Sequence, residues 1–204
     1  MTKCVLIQAN GDGTRMKDYF QIAKHHLFYK GSRIIEQIVS SVETAKVDCY
    51  IASKYTENVM FNSIHCKDTK NRIETIEQCL EKLASYDTII VHDCDVLFNH
   101  NTITAMEGNM ISVAHYKGDG LKYGFIEVDQ HFKYKSGNEK RTEAEYITSG
   151  LYSFETKRMK QFIEKNNGLS YDSLLAYYNV YQPQLLYTNN HTNLGDIDSY
   201  MQNL

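Results

Sequence analysis

Proline is nearly missing from this 204-residue chain: Pro183 is the only one. There is also no low-complexity linker and no internal repeat, so nothing marks a division, and residues 1–204 read as one domain. Positive charge is not in excess. The 22 Lys and Arg face 25 Asp and Glu, a formal net charge of -3, which disfavours nucleic acid as a partner. No apolar run has the length of a bilayer span or the form of a signal peptide, so no membrane partner is expected. The five cysteines, Cys4, Cys49, Cys66, Cys79 and Cys94, contain no Cys-x-x-Cys spacing. Odd in number and scattered, they fit reduced thiols in a cytoplasmic protein and argue against a disulfide framework or a zinc site. The rest is ordinary globular composition, 42% hydrophobic and 23% charged.

Short apolar runs alternate with stretches of helical period, which predicts an α/β layer architecture. Strands are expected at 5–9, 49–53, 87–92, 110–116, 123–128, 148–154 and 184–187, and helices at 32–44, 72–83, 155–165 and 170–178. In the first helix Ile34, Ile35, Ile38 and Val39 share a face, with Ser32 as its candidate N-cap. In the second, Ile73, Ile76, Leu80 and Leu83 repeat at the same period. Both stripes read as core.

Three features carry chemistry. The first is the apolar run Cys4-Val5-Leu6-Ile7, which leads into Ala9-Asn10-Gly11-Asp12-Gly13-Thr14-Arg15-Met16. Glycines let a backbone approach a phosphate, because no Cβ intervenes. Successive N–H groups in such a loop form an anion cradle, and Arg15 can fork onto phosphate oxygens. The Gly-Lys-Ser/Thr of a Walker loop is absent, as is the third glycine of the dinucleotide fingerprint. The loop therefore points to a nucleoside triphosphate. The second feature is Ile89-Ile90-Val91-His92-Asp93-Cys94-Asp95. Ligands of open α/β sheets collect at the carboxyl ends of strands, and two like charges there favour a cation. Asp93 and Asp95 share a face if the extended form persists, with His92 on the other. Carboxylates suit Mg²⁺, which fills its shell with phosphate oxygens and water. The third feature is Lys24, placed to return over the loop toward a phosphate; Lys17 and Lys30 are its rivals.

In this order the motifs resemble the nucleotidyltransferases that activate phosphorylated small molecules with a nucleoside triphosphate. Their Ala-Ala/Gly-Gly-x-Gly-Thr/Ser-Arg-Met/Leu is similar to 9–16, with Asn10 replacing a small residue. Their Pro-Lys-x-Leu and Gly-Lys-Pro-Leu-Ile-Glu are similar to 23–27 and 31–36. Arg72-Ile73-Glu74-Thr75-Ile76 and Val91-His92-Asp93 resemble segments of the methylerythritol-phosphate cytidylyltransferases. Asp95-Val96-Leu97-Phe98, 123–129, Glu139-Lys140 and 148–154 look more like sugar-phosphate and phosphocholine nucleotidyltransferases. Asn193-Leu194-Gly195-Asp196 resembles the start of their Asp-Ile-Gly-Thr-Pro-Glu-Asp-Tyr, with Asn193 in place of the leading Asp.

The resemblance implies an α/β, three-layer Rossmann-like (GT-A-like) nucleotidyltransferase domain with a mostly parallel central sheet. Residues 1–115 would form its nucleotide-binding half and 116–204 its acceptor-binding half. It implies nucleotide contacts from Ala9, Asn10, Gly11, Asp12, Gly13, Thr14, Arg15, Arg72, Thr75 and Asp93, with Arg15 and Lys24 catalytic. It implies an acceptor pocket shaped by Tyr123, Glu139, Lys140, Ser149 and Gly150, and Mg²⁺ on Asp95 with Asp93 or Asn193, Asp196 being an alternative to Asn193. Tyr116, Tyr146 and Tyr152 are further candidates for that pocket. The expected reaction moves CMP from CTP to a phosphorylated small molecule and releases pyrophosphate, in the supply of surface-polysaccharide precursors. Two other classes stay open. One is a metal-dependent glycosyltransferase using Asp-x-Asp. The other is a non-catalytic nucleotide-binding relative, for which Asn193 and the missing proline before Lys24 speak.

Overall fold

The first strand, β1 (Lys3–Gln8), sends Cys4 and Leu6 to one face and Val5 and Ile7 to the other, all fully buried. A strand buried on both sides belongs in the middle of a layered α/β sheet. This computed structural model describes residues 1–11, 16, 18–20, 22–55, 61–116, 124–139, 145–166 and 174–204. After β1 come a 3-10 turn (Lys24–His26), the hairpin β2 (Phe28–Tyr29) and β3 (Ser32–Arg33), α1 (Ile34–Thr44), β4 (Asp48–Ser53), β5 (Ser63–His65) and α2 (Arg72–Leu80). The middle of the chain holds β6 (Thr88–Asp93), β7 (Val96–Phe98), α3 (His100–Ala105), β8 (Met110–His115), β9 (Gly124–Val128) and β10 (Tyr134–Glu139). Then follow β11 (Tyr146–Glu155), α4 (Thr156–Lys165), α5 (Leu175–Val180), β12 (Gln184–Tyr187), β13 (His191–Asn193) and α6 (Ile197–Asn203).

The large sheet is mixed. Its parallel block runs β6-β1-β4-β5, with Gln8 of β1 opposite both Ala52 of β4 and Asp93 of β6. The long strand β11 continues it antiparallel on β6, and also pairs with β8 and β9; β12 adds to β8 in parallel. Helices cover both faces. The buried side of α2 and α4 packs with Cys4, Leu6, Val91 and Phe154, and that of α1 with Val5, Ile7, Ile51 and Ile90. The result is the three-layer α/β class expected from the alternation of elements. Among the described residues no helix is long and apolar enough to cross a membrane.

Two features of this topology position the site. From β1 the chain moves outward to β4 and β5, then returns through α2 to β6 on the other side of β1. That reversal opens a crevice at the carboxyl ends of β1 and β6, where open α/β sheets bind ligands. The second feature is a register shift in β11 between Thr148 and Tyr152. Gly150 lies within it at φ +107, a conformation that favours glycine. The shift is tied by Ser112, whose hydroxyl accepts from Ser149 Oγ at 2.7 Å and from the Leu151 N–H at 3.0 Å. One local expectation is corrected: Ser32 belongs to β3, and the N-cap of α1 is Arg33, whose N–H donates to the Glu36 carboxylate at 2.8 Å.

Candidate functional site

A cleft of about 320 Å³ lies at the carboxyl ends of β1 and β6. Gln8, Asn10, Lys24, Arg72, Asp93 and Asp95 are among its lining residues. Strand alternation accounts for one wall. Asp93 continues the face of Ile89 and Val91 that packs toward α2, and Tyr152 of β11 belongs to the same core. Arg72, the first residue of α2, meets both. Its guanidinium donates to Asp93 Oδ2 at 2.8 Å and to the Tyr152 hydroxyl at 2.9 Å, while lying over the Tyr152 ring at 5.1 Å. The hydroxyl of Tyr152 donates onward to Thr148 Oγ1 at 3.0 Å. Asn71 caps α2 by accepting from the Glu74 N–H at 3.0 Å, which fixes where Arg72 emerges. Thr75 lines the cleft, but its hydroxyl is used inside the wall, on Thr69 Oγ1 at 2.7 Å and the Asn71 carbonyl at 3.3 Å.

The opposite wall centres on Asp95. Strand β6 ends at Asp93, and a turn at Cys94 and Asp95 separates the two carboxylates. Asp93 goes to Arg72; Asp95 Oδ2 takes Lys24 Nζ at 3.0 Å. Buried Lys24 also donates to the Gly195 carbonyl. The Leu194 N–H donates to the Asp95 carbonyl at 2.8 Å, and Asn193 Oδ1 accepts the Gly195 N–H at 2.8 Å. A Cβ on residue 195 would stand 2.9 Å from Asp95 Oδ2 and 3.0 Å from Asn193 Oδ1. The carboxylate and the amide oxygen therefore converge on one backbone position that only glycine leaves open. Gly195→Ala is expected to push the two oxygens apart and lower activity by about tenfold or more, with a smaller effect on melting temperature; assaying both quantities on one preparation checks this.

Among the described residues no three His, Cys, Asp or Glu side chains group into a metal cage. Asp93 and Asp95 nonetheless bring carboxylate oxygens to the cleft, and Asn193 Oδ1 crowds the same Gly195 position as Asp95 Oδ2; hard oxygens of this kind suit Mg²⁺, which needs only one or two protein carboxylates. Asp196 is engaged elsewhere, capping α6 by accepting from the Ser199 N–H at 3.0 Å. Burial, with Asp95 second, pushes the Cys94 thiol pKa up and so favours the thiol over the nucleophilic thiolate. His92 is fully buried, edge-on to Phe98 at 5.5 Å, on the face away from Asp93.

His25 borders the cleft beside Lys24, its ring 4.3 Å from that of His26. Burial, then His26, lowers its pKa from 6.5 to about 4. The folded state thus resists a proton that the unfolded chain accepts. The stability contributed by neutral His25 is complete above pH 6.5 and is lost as pH falls toward 4, by about 3 kcal/mol. Urea unfolding at pH 7 and pH 4.5 is expected to show this slope in the native protein and a shallower one in His25→Gln.

Of the remaining sequence candidates, Ala9 is buried and donates its N–H to the Ala52 carbonyl at 2.9 Å, and Gly11 lines the cleft. Gly150 abuts Asp93, while the Ser149 hydroxyl is spent on Ser112. Glu139 closes β10 opposite Gly124. Tyr146 packs edge-on against Tyr187 and His115, and the Tyr116 N–H donates to the Glu145 carbonyl at 2.7 Å. Asp12, Gly13, Thr14, Arg15, Lys17, Tyr123 and Lys140 lie outside the described residues. Sequence reading missed Gln8, His25, Thr69 and Asn71 as lining residues. Gln8 was accessible in principle, two positions before Asn10 and so on the same face of an extended chain.

The mixed sheet with helices on both faces is a Rossmann-like α/β fold shared with solved structures named for sugar-nucleotide enzymes. Three such structures illustrate the likeness. A protein described as a glucose-1-phosphate thymidylyltransferase from Bacillus anthracis, in complex with a sucrose, aligns with TM-score 0.82 at 16% identity, over 99% of this chain and 94% of that one. A UDP-glucose pyrophosphorylase complexed with UDP-glucose gives 0.81 at 16%, over 100% and 97%. A nucleoside-diphosphate-sugar pyrophosphorylase from Vibrio cholerae RC9 gives 0.74 at 17%, over 98% and 99%. No protein-family model matches the sequence, and no curated protein matches it. At these identities the likeness establishes the fold.

Proposed function

We propose that this chain is a Mg²⁺-dependent nucleotidyltransferase that moves a nucleotidyl group, CMP from CTP, to a phosphorylated small molecule such as a sugar phosphate. The observation that carries the reading is the convergence of Lys24, Arg72, Asp93 and Asp95 on one cleft at the strand switch point. Solved structures of the same fold bear the names of enzymes for sugar nucleotides. The lean to cytosine rests on the resemblance around Arg72 and Thr75, since the neighbours are named for thymidylyl transfer and UDP-glucose.

In this reading an acceptor phosphate oxygen attacks the α-phosphorus; a P–O bond forms there as the bond to the β-phosphate oxygen breaks, and pyrophosphate leaves. A phosphate monoester is already anionic near neutral pH, so no general base is required. Positioning and charge neutralisation supply the rate. The loop 9–15 cradles the triphosphate, and Arg15 meets the charge that develops on pyrophosphate. Lys24, already held in the cleft by Asp95 and the Gly195 carbonyl, brings its ammonium to the α-phosphoryl oxygens. Mg²⁺, when bound by Asp95 with Asp93 or Asn193, adds positive charge against phosphate oxygens. Residues 1–115 carry the nucleotide and 116–204 the acceptor.

The test is pyrophosphate release from CTP, UTP, GTP, ATP and dTTP with Mg²⁺ against sugar-1-phosphates, polyol phosphates and phosphocholine-type acceptors. Release that requires one triphosphate and one acceptor supports the reading. Transfer of sugar from a nucleotide-sugar without pyrophosphate would replace it with a glycosyltransferase, and binding without turnover across the panel would replace it with a non-catalytic role.

A further inference from the structure

Two amide oxygens in the cleft wall, Gln8 Oε1 and Asn10 Oδ1, are buried with no hydrogen-bond donor among the described residues. The other half of each amide fixes them as oxygens. Gln8 Nε2 donates to the Arg72 carbonyl at 3.1 Å. Asn10 Nδ2 donates to the Lys67 carbonyl at 3.0 Å and to Thr69 Oγ1 at 2.8 Å. A carbonyl only accepts, so turning either amide over would set oxygen against oxygen. The Asn10 amide is further locked by a one-way chain. The hydroxyl of Thr75 is spent on the Asn71 carbonyl, so Thr69 donates to Thr75 and accepts from Asn10.

Gln8 and Asn10 are two residues apart at the carboxyl end of β1. They extend the face of Cys4 and Leu6, which packs toward α2. Beside them, Gly11 leaves open space where a Cβ would stand. Buried acceptors without donors are rare in native proteins because they forfeit their hydration. Two of them side by side call for a ligand that brings two N–H groups on one edge.

We propose that Gln8 and Asn10 read the base of the bound nucleotide and select one with an exocyclic amino group, cytosine, over one with a carbonyl there, uracil or thymine. The proposal rests on the nucleotidyltransferase reading above. An amino group supplies two donors to the two oxygens, whereas the O4 of uracil brings a third oxygen toward them. Sites built to hydrogen-bond one group reject the analogue that lacks it, because their own polar atoms are left unpaired. The choice separates this chain from the fold neighbours named for thymidylyl transfer and UDP-glucose.

CTP and UTP differ in the pyrimidine only at position 4 and its neighbouring ring nitrogen, and they share sugar and phosphates, so calorimetric titration of both with Mg²⁺ is the test. The native protein is expected to bind CTP at least about tenfold more tightly than UTP. Asn10→Ala is expected to bring the two within about threefold by weakening CTP alone, its retained UTP affinity showing that the loop still folds. Gln8→Leu, close in volume, is the second variant and is expected to shift the ratio the same way. Equal affinities, or tighter UTP, in the native protein would overturn the base assignment and leave the transferase reading standing. So would a preference unchanged in both variants. Binding of neither nucleotide would remove the transferase reading, and the base assignment with it.

Discussion

Asp95→Asn is expected to lower pyrophosphate release by on the order of a hundredfold to a thousandfold, while the melting temperature falls by no more than about 5 °C. The substitution keeps shape and removes charge. In the native protein Asp95 Oδ2 receives Lys24 Nζ at 3.0 Å and stands 2.9 Å from where a Cβ on residue 195 would be. It is thus the partner that holds Lys24 and, in the proposed reading, the carboxylate that would hold Mg²⁺. Asparagine still offers an oxygen to the lysine, and the pair is not wholly buried, with side-chain exposures of 9% and 18%. Because the lysine keeps that oxygen and the Gly195 carbonyl, loss of the charge costs about 1–2 kcal/mol of folding stability, less than stripping a buried pair of one partner outright. Activity and stability separate in this variant if Asp95 serves the reaction. An unaltered response of activity to magnesium would take Asp95 out of the site. A large drop in melting temperature with unchanged specific activity would make the ion pair a strut.

Gly150→Ala acts on the fold. Its φ of +107 lies where an L side chain is strained, and the added Cβ would stand 3.1 Å from Val96 Cγ2 and 3.4 Å from Asp93 Oδ2. Backbone strain and crowding together predict a loss of about 2–4 kcal/mol, read as a melting temperature lower by roughly 5–12 °C. The register of β11 around this residue is locked by Ser112, Ser149 and Leu151, so the backbone has little room to give. Because the two crowded neighbours flank the turn that carries Asp95, activity should fall as well. A stability within about 0.5 kcal/mol of the native protein would show that the bulge relaxes freely.

The parts of this architecture that could be read in advance were those with strong local patterns. The apolar runs 4–7 and 89–91 both became central strands. The stripes of α1 and α2 became the inner faces of opposite helix layers. What escaped was short or polar. Strands β5, β7 and β13 have three residues each, too few for a period to register. Strand β10, Tyr134–Glu139, has the sequence YKSGNE and forms by pairing with β9. At the candidate site, the meeting of Asp93, Asp95, Lys24 and Arg72 at one cleft was legible from their motifs. Their partners were not, because pairing depends on tertiary placement: Lys24 meets Gly195 across 171 positions, and Arg72 meets Tyr152 across 80. The two carboxylates were expected to share one face of a continuing strand; the turn after Asp93 instead gives each its own cation.

The long reach of Lys24 has a consequence for how the protein is made. Asn193, Leu194 and Gly195 complete the Asp95 wall, and Tyr200 follows, its hydroxyl donating to the Phe28 carbonyl. At a synthesis rate of ~5–20 residues per second, the ribosome needs roughly 5–20 s to travel from Asp95 to Gly195. During that interval the nascent chain already contains Lys24 and its first carboxylates but lacks the segment that clamps the lysine. Under the nucleotidyltransferase reading, a chain truncated before Asn193 is therefore expected to be unable to spend nucleoside triphosphate, turnover beginning only after the segment 193–195 has docked.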